Sequence, residues 1–291
     1  MPSRRPIIIF GIGRSGTTIF HQMLAEHPNL AWLSSVCAEY PERPGLNRLV
    51  MQALDVPGLE RIVRRRFPLG EHYRFWEHYS NGFSEPCRDL GADDLSHRTK
   101  RRILKATDTL TTQKRDRLLI KITGWPRTGF LSQAFEDAVF IHVLRDGRAV
   151  ANSLMNVDFW RGWQGPAGWR WGPMPPEYRQ EWETYDESFV VLAAIQWKLL
   201  MDAAEEAKRK LDPERLLEIR YEDLCAAPIP TMRTVSEFCD LPATDSFERR
   251  LGKFDMTNTN DKYRKDLTPG QQAALEAVLA GHLETYGYTH D

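Results

Sequence analysis

A short apolar run, a glycine-rich turn and a helical stretch follow one another at the start of the chain, and this junction restricts the fold more than any other segment. Pro6-Ile-Ile-Ile-Phe10 is β-branched and bounded by proline and glycine, the pattern of a strand buried on both faces. Residues 17 to 26 then read as a helix. A strand covered on both faces needs helices above and below it, which directs the chain toward layered α/β architecture.

The remaining segments repeat the alternation. Arg117 to Thr123 (RLLIKIT) and Ala138 to Leu144 (AVFIHVL) predict two further strands, with a helical stretch from Gly129 to Glu136 between them. Helical patterning resumes over Arg148 to Asn156 and over Asp186 to Leu211, where Phe189, Leu192, Ala193, Trp197, Leu200 and Ala204 recur at three- and four-residue steps. A strand is expected at Leu216 to Arg220, and helices at Pro230 to Cys239 and Pro269 to Tyr286, the last opened by Thr268 as cap and Pro269 in its first turn. The expectation is one domain over residues 1–291 with a P-loop-containing nucleotide-binding α/β fold, its central sheet mostly parallel with helices on both faces. Two stretches fit the rhythm poorly: a charge-rich helical insertion at about 41–115, and a Trp/Pro/Gly-rich, lid-like segment at about 158–183.

Gly11-Ile-Gly-Arg-Ser-Gly16-Thr-Thr18 sits between the first strand and helix, with glycines five apart as in the pattern GxxxxGK[ST]. Backbone N–H groups of such a loop converge with the helix N-terminus on an anion. Thr17 stands where that pattern has lysine, Arg14 puts the cation inside the loop, and no carboxylate ending an apolar strand is evident as a magnesium ligand. The loop is therefore poorly equipped for γ-phosphoryl transfer and better suited to a nucleotide that ends at its second anionic group, which arginine can grip bidentately.

A second anchor follows the third predicted strand. In Val143-Leu-Arg-Asp-Gly-Arg-Ala-Val-Ala-Asn-Ser-Leu154, Arg145 lies at a strand's carboxyl end, where open α/β sheets bind ligands, and Ser153 is eight residues on, about two helical turns away. The plainer reading is a helix start capped by Asp146 with Arg148 in water. It accounts for the aspartate but not for Arg145 and Ser153 together.

Charge supplies no alternative drive. Lysine and arginine number 39 against 40 acidic residues, a net charge of -1, so any anion must be held locally, and nucleic acid is not an expected partner. Cys37, Cys87, Cys225 and Cys239 are widely spaced with no CxxC pair, which reads as reduced thiols in a cytoplasmic protein. Met1-Pro-Ser-Arg-Arg leads straight into a short apolar run, too short for a signal sequence or membrane span.

On these residues the chain resembles the sulfotransferases that use 3′-phosphoadenosine-5′-phosphosulfate (PAPS). GRSGTT is similar to their 5′-phosphosulfate loop, in the arginine form of tyrosylprotein and several bacterial enzymes, and FIHVLRDGRAVANSL to their 3′-phosphate segment. Ile219-Arg-Tyr-Glu-Asp-Leu224 resembles the family's RYEDL segment, and Asp261-Lys-Tyr-Arg264 its C-terminal basic segment. The resemblance implies that Arg14, Ser15, Gly16, Thr17, Thr18, Arg145, Ser153, Tyr221, Lys262 and Arg264 hold PAPS as co-substrate, and that no metal is required.

It also implies in-line attack of an acceptor hydroxyl on sulfur, with Arg14 and Lys121 beside the transferred group and Glu39 as the base. Glu42 and His21 remain alternatives to Glu39, His21 through a reference pKa suited to neutral pH or simply as a packed helix residue. Lys121 likewise has a second reading, an edge-strand lysine pointing into water. The acceptor would be a small molecule, carbohydrate or lipid, with the tryptophans of 158–183 either walling its pocket or filling core. Arg61 to Arg66 reads as a solvated helix face that could also meet an acidic acceptor or lipid head groups. A magnesium-dependent kinase and a non-catalytic nucleotide-binding protein are the competing readings.

Overall fold

A computed structural model describes residues 5–84 and 87–288, so Met1 to Arg4 of the N-terminal reading lie outside the described residues. Five strands form one all-parallel sheet in the order β2-β3-β1-β4-β5: β1 Ile7–Gly11, β2 Leu30–Trp32, β3 Arg117–Thr123, β4 Val139–Leu144 and β5 Leu216–Arg220. Strand β1 is central, pairing Gly11 with Thr123 on one side and Val143 on the other.

Helices α1 Thr17–Leu24, α2 Ser35–Glu39, α3 Gly45–Ala53, α4 Glu60–Arg66, α5 Tyr73–Tyr79, α6 His97–Asp108 and α7 Thr128–Ala134 surround the first strands. After them come α8 Gly147–Met155, α9 Pro176–Thr184, α10 Phe189–Lys210, α11 Tyr221–Ala226, α12 Pro228–Phe238, α13 Asp245–Leu251, α14 Lys262–Asp266 and α15 Pro269–Thr285. The period of two along β1 sends Ile7 and Ile9 into a core with α1, α3, α4, α12 and α13. Ile8 and Phe10 enter the opposite core with α5, α6 and α7. A third cluster joins α8, α10 and α15 around Val150, Trp197 and Leu279.

Several sequence expectations are corrected. Strand β2 was not anticipated: three residues are too few to display a period, and pairing with Arg117 to Leu119 creates it. Helix α10 begins at Phe189 because Asp186 and Glu187 take left-handed φ values of 51° and 53°. Strand β3 lies inside the sheet between β2 and β1, so Lys121 is no edge-strand lysine in water; it is 6% exposed. Arg148 is buried and paired with Asp146 at 2.7 Å rather than solvated, and Arg64 turns inward to pair with Glu26 and Glu60. Within 158–183, Trp160 and Trp182 fill core, Trp163 is exposed, and residues from Pro176 form α9.

Candidate functional site

From β1 the chain goes to β2 at one edge of the sheet and later to β4 and β5 on the other side of β1, and ligands of open α/β sheets bind at the carboxyl ends of strands where the order reverses in this way. The glycine-rich turn occupies it. Ser15 N–H donates to the Ile12 carbonyl at 3.1 Å, Arg14 and Gly16 adopt φ of 76° and 84°, and α1 begins at Thr17. The first-turn amides of α1 have no acceptor within the helix, and their partial positive charge faces the strand ends. Ser15 and Thr17 are buried supports, whereas the Arg14 and Thr18 side chains are exposed.

Gly16 is required twice. Its φ is costly for an L residue, and a Cβ there would lie 2.2 Å from Cδ2 of Tyr221, whose ring covers the turn. Tyr221 opens α11 directly after β5, so the RYEDL-like segment reaches the loop because β5 runs parallel to β4 two strands from β1.

Arg145, at the end of β4, ties the pieces together. Its Nη1 donates to the Arg14 carbonyl at 2.9 Å, its Nε to Asn260 Oδ1 at 3.0 Å and its Nη2 to Thr259 Oγ1 at 3.0 Å. Its guanidinium also stacks 4.5 Å from the Tyr221 ring centre. A guanidinium has five N–H donors, so two remain for a ligand. Burial lowers the pKa of Arg145, and burial pushes the Tyr221 hydroxyl up to about 12, so it remains a donor, here to the Thr257 carbonyl at 3.3 Å. Arg14 Nε donates to Ser153 Oγ on α8 at 2.9 Å. The loop, Arg145, Ser153 and Tyr221 are thereby brought into one cluster.

On the other side of the loop, Lys121 Nζ donates to Thr18 Oγ1 at 2.9 Å and pairs with Glu71 at 2.8 Å. A cation and a carboxylate thus meet at the first turn of α1. Tyr73 holds the same end of β3, its hydroxyl donating to the Thr123 carbonyl at 2.7 Å and accepting from Thr123 N–H at 3.1 Å; burial pushes its pKa up to about 12. His21 is buried with Nε2 unpartnered, and burial, reinforced by the positive fields of Lys121 and His72, holds its pKa well below 6.5. It is neutral at physiological pH and covered. Glu39 is exposed at the C-terminal end of α2, and Glu42 is exposed beside Arg43 at 4.0 Å.

Of the C-terminal residues, Lys262 and Arg264 are exposed on α14, while Thr259 and Asn260 before them make the contacts to Arg145. These two, with Glu222, which accepts from Asp146 N–H at 3.1 Å and Asn260 at 2.5 Å, were missed from sequence, as were Glu71 and Tyr73. Single polar residues in irregular segments or at the first turn of a short helix carry no period. Only the neighbouring Lys262 motif pointed to the 257–264 stretch. Trp171 of the aromatic segment packs against Trp125 at 6.0 Å and over Gly124, whose N–H donates to the Gly11 carbonyl, so an indole wall stands beside the loop. Among the described residues, no group of three or more His, Cys, Asp or Glu side chains is arranged to hold a metal ion, and no helix is long and apolar enough to cross a membrane.

The model of the sulfotransferase family matches residues 6–245. No curated protein matches the chain. Among solved structures, sulfotransferase STF9 from Mycobacterium avium superposes with a TM-score of 0.60 at 19% identity, covering 98% of this chain and 77% of that one. Sulfotransferase STF1 from Mycobacterium tuberculosis gives 0.57 at 18%, covering 96% and 77%. The sulfotransferase domain from the curacin biosynthetic pathway gives 0.51 at 14%, covering 97% and 98%. At such identities the likeness is one of fold.

Proposed function

The chain belongs to the sulfotransferase family, and we propose that it moves the sulfuryl group of PAPS to a hydroxyl of a small-molecule, carbohydrate or lipid acceptor by in-line displacement. One observation carries the donor assignment: Arg145 hydrogen-bonds the backbone of Arg14, whose side chain in turn reaches Ser153. Two anion-binding elements from distant parts of the chain therefore lie side by side, which suits a nucleotide with anions at both its 5′ and 3′ ends.

In this reading Arg14 and the amides of Ser15, Gly16, Thr17 and Thr18 hold the 5′-phosphosulfate, Arg145 and Ser153 hold the 3′-phosphate, and Tyr221 packs along the nucleotide. Lys262 and Arg264 add positive charge at its edge. The acceptor oxygen attacks sulfur, the bond from sulfur to the bridging oxygen breaks, and 3′,5′-adenosine bisphosphate leaves. Arg14 and Lys121 offset charge on the sulfuryl and leaving oxygens, and Lys121 already reaches Thr18. The hydroxyl proton passes to a carboxylate, Glu39 by family resemblance, with Glu71 beside Lys121 as its structural competitor. Residues 158–183 wall the acceptor side through Trp171. Four free cysteines suit a reducing, cytoplasmic setting.

Calorimetric titration with 3′,5′-adenosine bisphosphate in EDTA tests the proposal. Removing one partner of a buried charged hydrogen bond costs about 2–5 kcal/mol, so Arg145→Ala weakens binding by about thirtyfold or more, while Arg61→Ala leaves it unchanged. Absent binding, or binding only of ATP with magnesium, refutes it.

A further inference from the structure

Eight large apolar side chains are exposed among the described residues, and four of them crowd into residues 49–62: Leu49 at 60%, Val56 at 46%, Leu59 at 40% and Ile62 at 63%. This is not the core-facing stripe of α3 and α4, which is Val50, Met51 and Val63. A helix that buries one apolar stripe has no folding reason to present a second to solvent.

The exposed side of the same segment is basic. Arg61, Arg65 and Arg66 on α4 are exposed, and none of them has a carboxylate within salt-bridge distance among the described residues. The acidic residues nearby in sequence are already neutralised: Asp55 by Lys114 and Arg115 at 2.9 Å each, Glu60 by Arg64 and Arg250. Arg64, the remaining member of the run, is folded inward over Trp32. With a net charge of only -1 on the whole chain, the positive field here is a local construction.

We infer that the outer face of α3 and α4 docks on an anionic lipid bilayer, its aliphatic side chains entering the headgroup boundary and its arginines meeting lipid phosphates and carboxylates. A second copy of the chain is the poorer occupant, since a two-fold contact through this patch would set the two arginine clusters against each other. The inference does not depend on the sulfuryl-transfer reading, because none of these residues touches the loop, Arg145 or Lys121.

The test is sedimentation of the full chain with phosphatidylcholine vesicles, with and without phosphatidylserine, at low and high salt. Each arginine near an anionic surface is worth about a fivefold gain in partition, so the triple variant Arg61→Gln, Arg65→Gln, Arg66→Gln should lose on the order of a hundredfold. The double variant Leu49→Gln, Ile62→Gln should lose roughly tenfold or more. All five side chains are exposed, and circular dichroism with thermal unfolding verifies that each variant is folded. Binding to phosphatidylserine vesicles that salt and both variants weaken supports the inference. No sedimentation with those vesicles, partition unchanged by either variant, or a concentration-dependent dimer that Leu49→Gln, Ile62→Gln abolishes would each overturn it.

Discussion

Replacing Gly16 by alanine examines the loop and its aromatic cover together. The backbone component is a left-handed φ of 84°, which costs an L residue about 1–2 kcal/mol. The steric component is comparable, because the new Cβ would sit 2.2 Å from Tyr221 Cδ2 where ordinary contact begins at 3.4 Å, so the ring must move by about an ångström. That ring stacks on the Arg145 guanidinium at 4.5 Å, an interaction worth roughly 1–2 kcal/mol when partly desolvated. Gly16→Ala is therefore expected to destabilise by about 2–4 kcal/mol and lower Tm by roughly 4–10 °C, weakening 3′,5′-adenosine bisphosphate binding at least about tenfold. Denaturant unfolding and calorimetry measured on a double-mutant cycle with Tyr221→Ala separate the two components. With the ring removed, Gly16→Ala should retain only its backbone cost, leaving a coupling of about 1–2 kcal/mol. Equal costs in both backgrounds would refute the claim that Tyr221 is seated on the loop.

Other outcomes follow from neighbouring contacts. Glu39→Gln should preserve nucleotide affinity while lowering the release of 3′,5′-adenosine bisphosphate in the presence of acceptor by on the order of a hundredfold; unchanged turnover, with the loss found in Glu71→Gln instead, moves the proton to Glu71. Burial lowers the pKa values of His21, His27 and His72 from 6.5, so the unfolded chain binds more protons below that pH and stability falls as pH drops through it. Denaturant titrations should show a loss of up to about 1.4 kcal/mol per pH unit for each such histidine, reduced in His21→Phe, and a flat profile between about pH 5 and 7 contradicts this. Asn47 is fully buried, accepting from Ser34 N–H at 3.0 Å and Ser34 Oγ at 2.7 Å and donating to the Trp32 carbonyl at 2.9 Å. Asn47→Leu strands these groups and should cost about 2–4 kcal/mol in unfolding free energy; an unchanged midpoint would mean the network is not what fixes α3 to the end of β2.

Some of this was legible from local pattern. The β-branched run of β1, the glycines of the loop and the hydrophobic periods of α8, α10 and α15 record interactions over a few residues, and each element appears within a few positions of its expected limits. The structure gathers Arg14, Arg145, Ser153 and Tyr221 into one cluster; the first three stood out in the sequence at a strand-to-helix junction or a fixed helical interval from one, Tyr221 through the likeness of its segment to RYEDL. Strand β2 was not legible, since its identity lies in the partner strand rather than in three residues of its own.

The amino-acid order alone determined that a glycine-rich turn leading into a helix N-terminus would form between β1 and α1, because glycine conformations and helix starts are local properties. Only the tertiary structure decided what surrounds that turn. It brought Glu71 to Lys121, Asn260 and Thr259 to Arg145, and Trp171 to Gly124, across sequence separations of about fifty to more than a hundred residues. Sheet order places those loops together at one edge, and strand order depends on long-range pairing and helix packing that no short window of residues encodes.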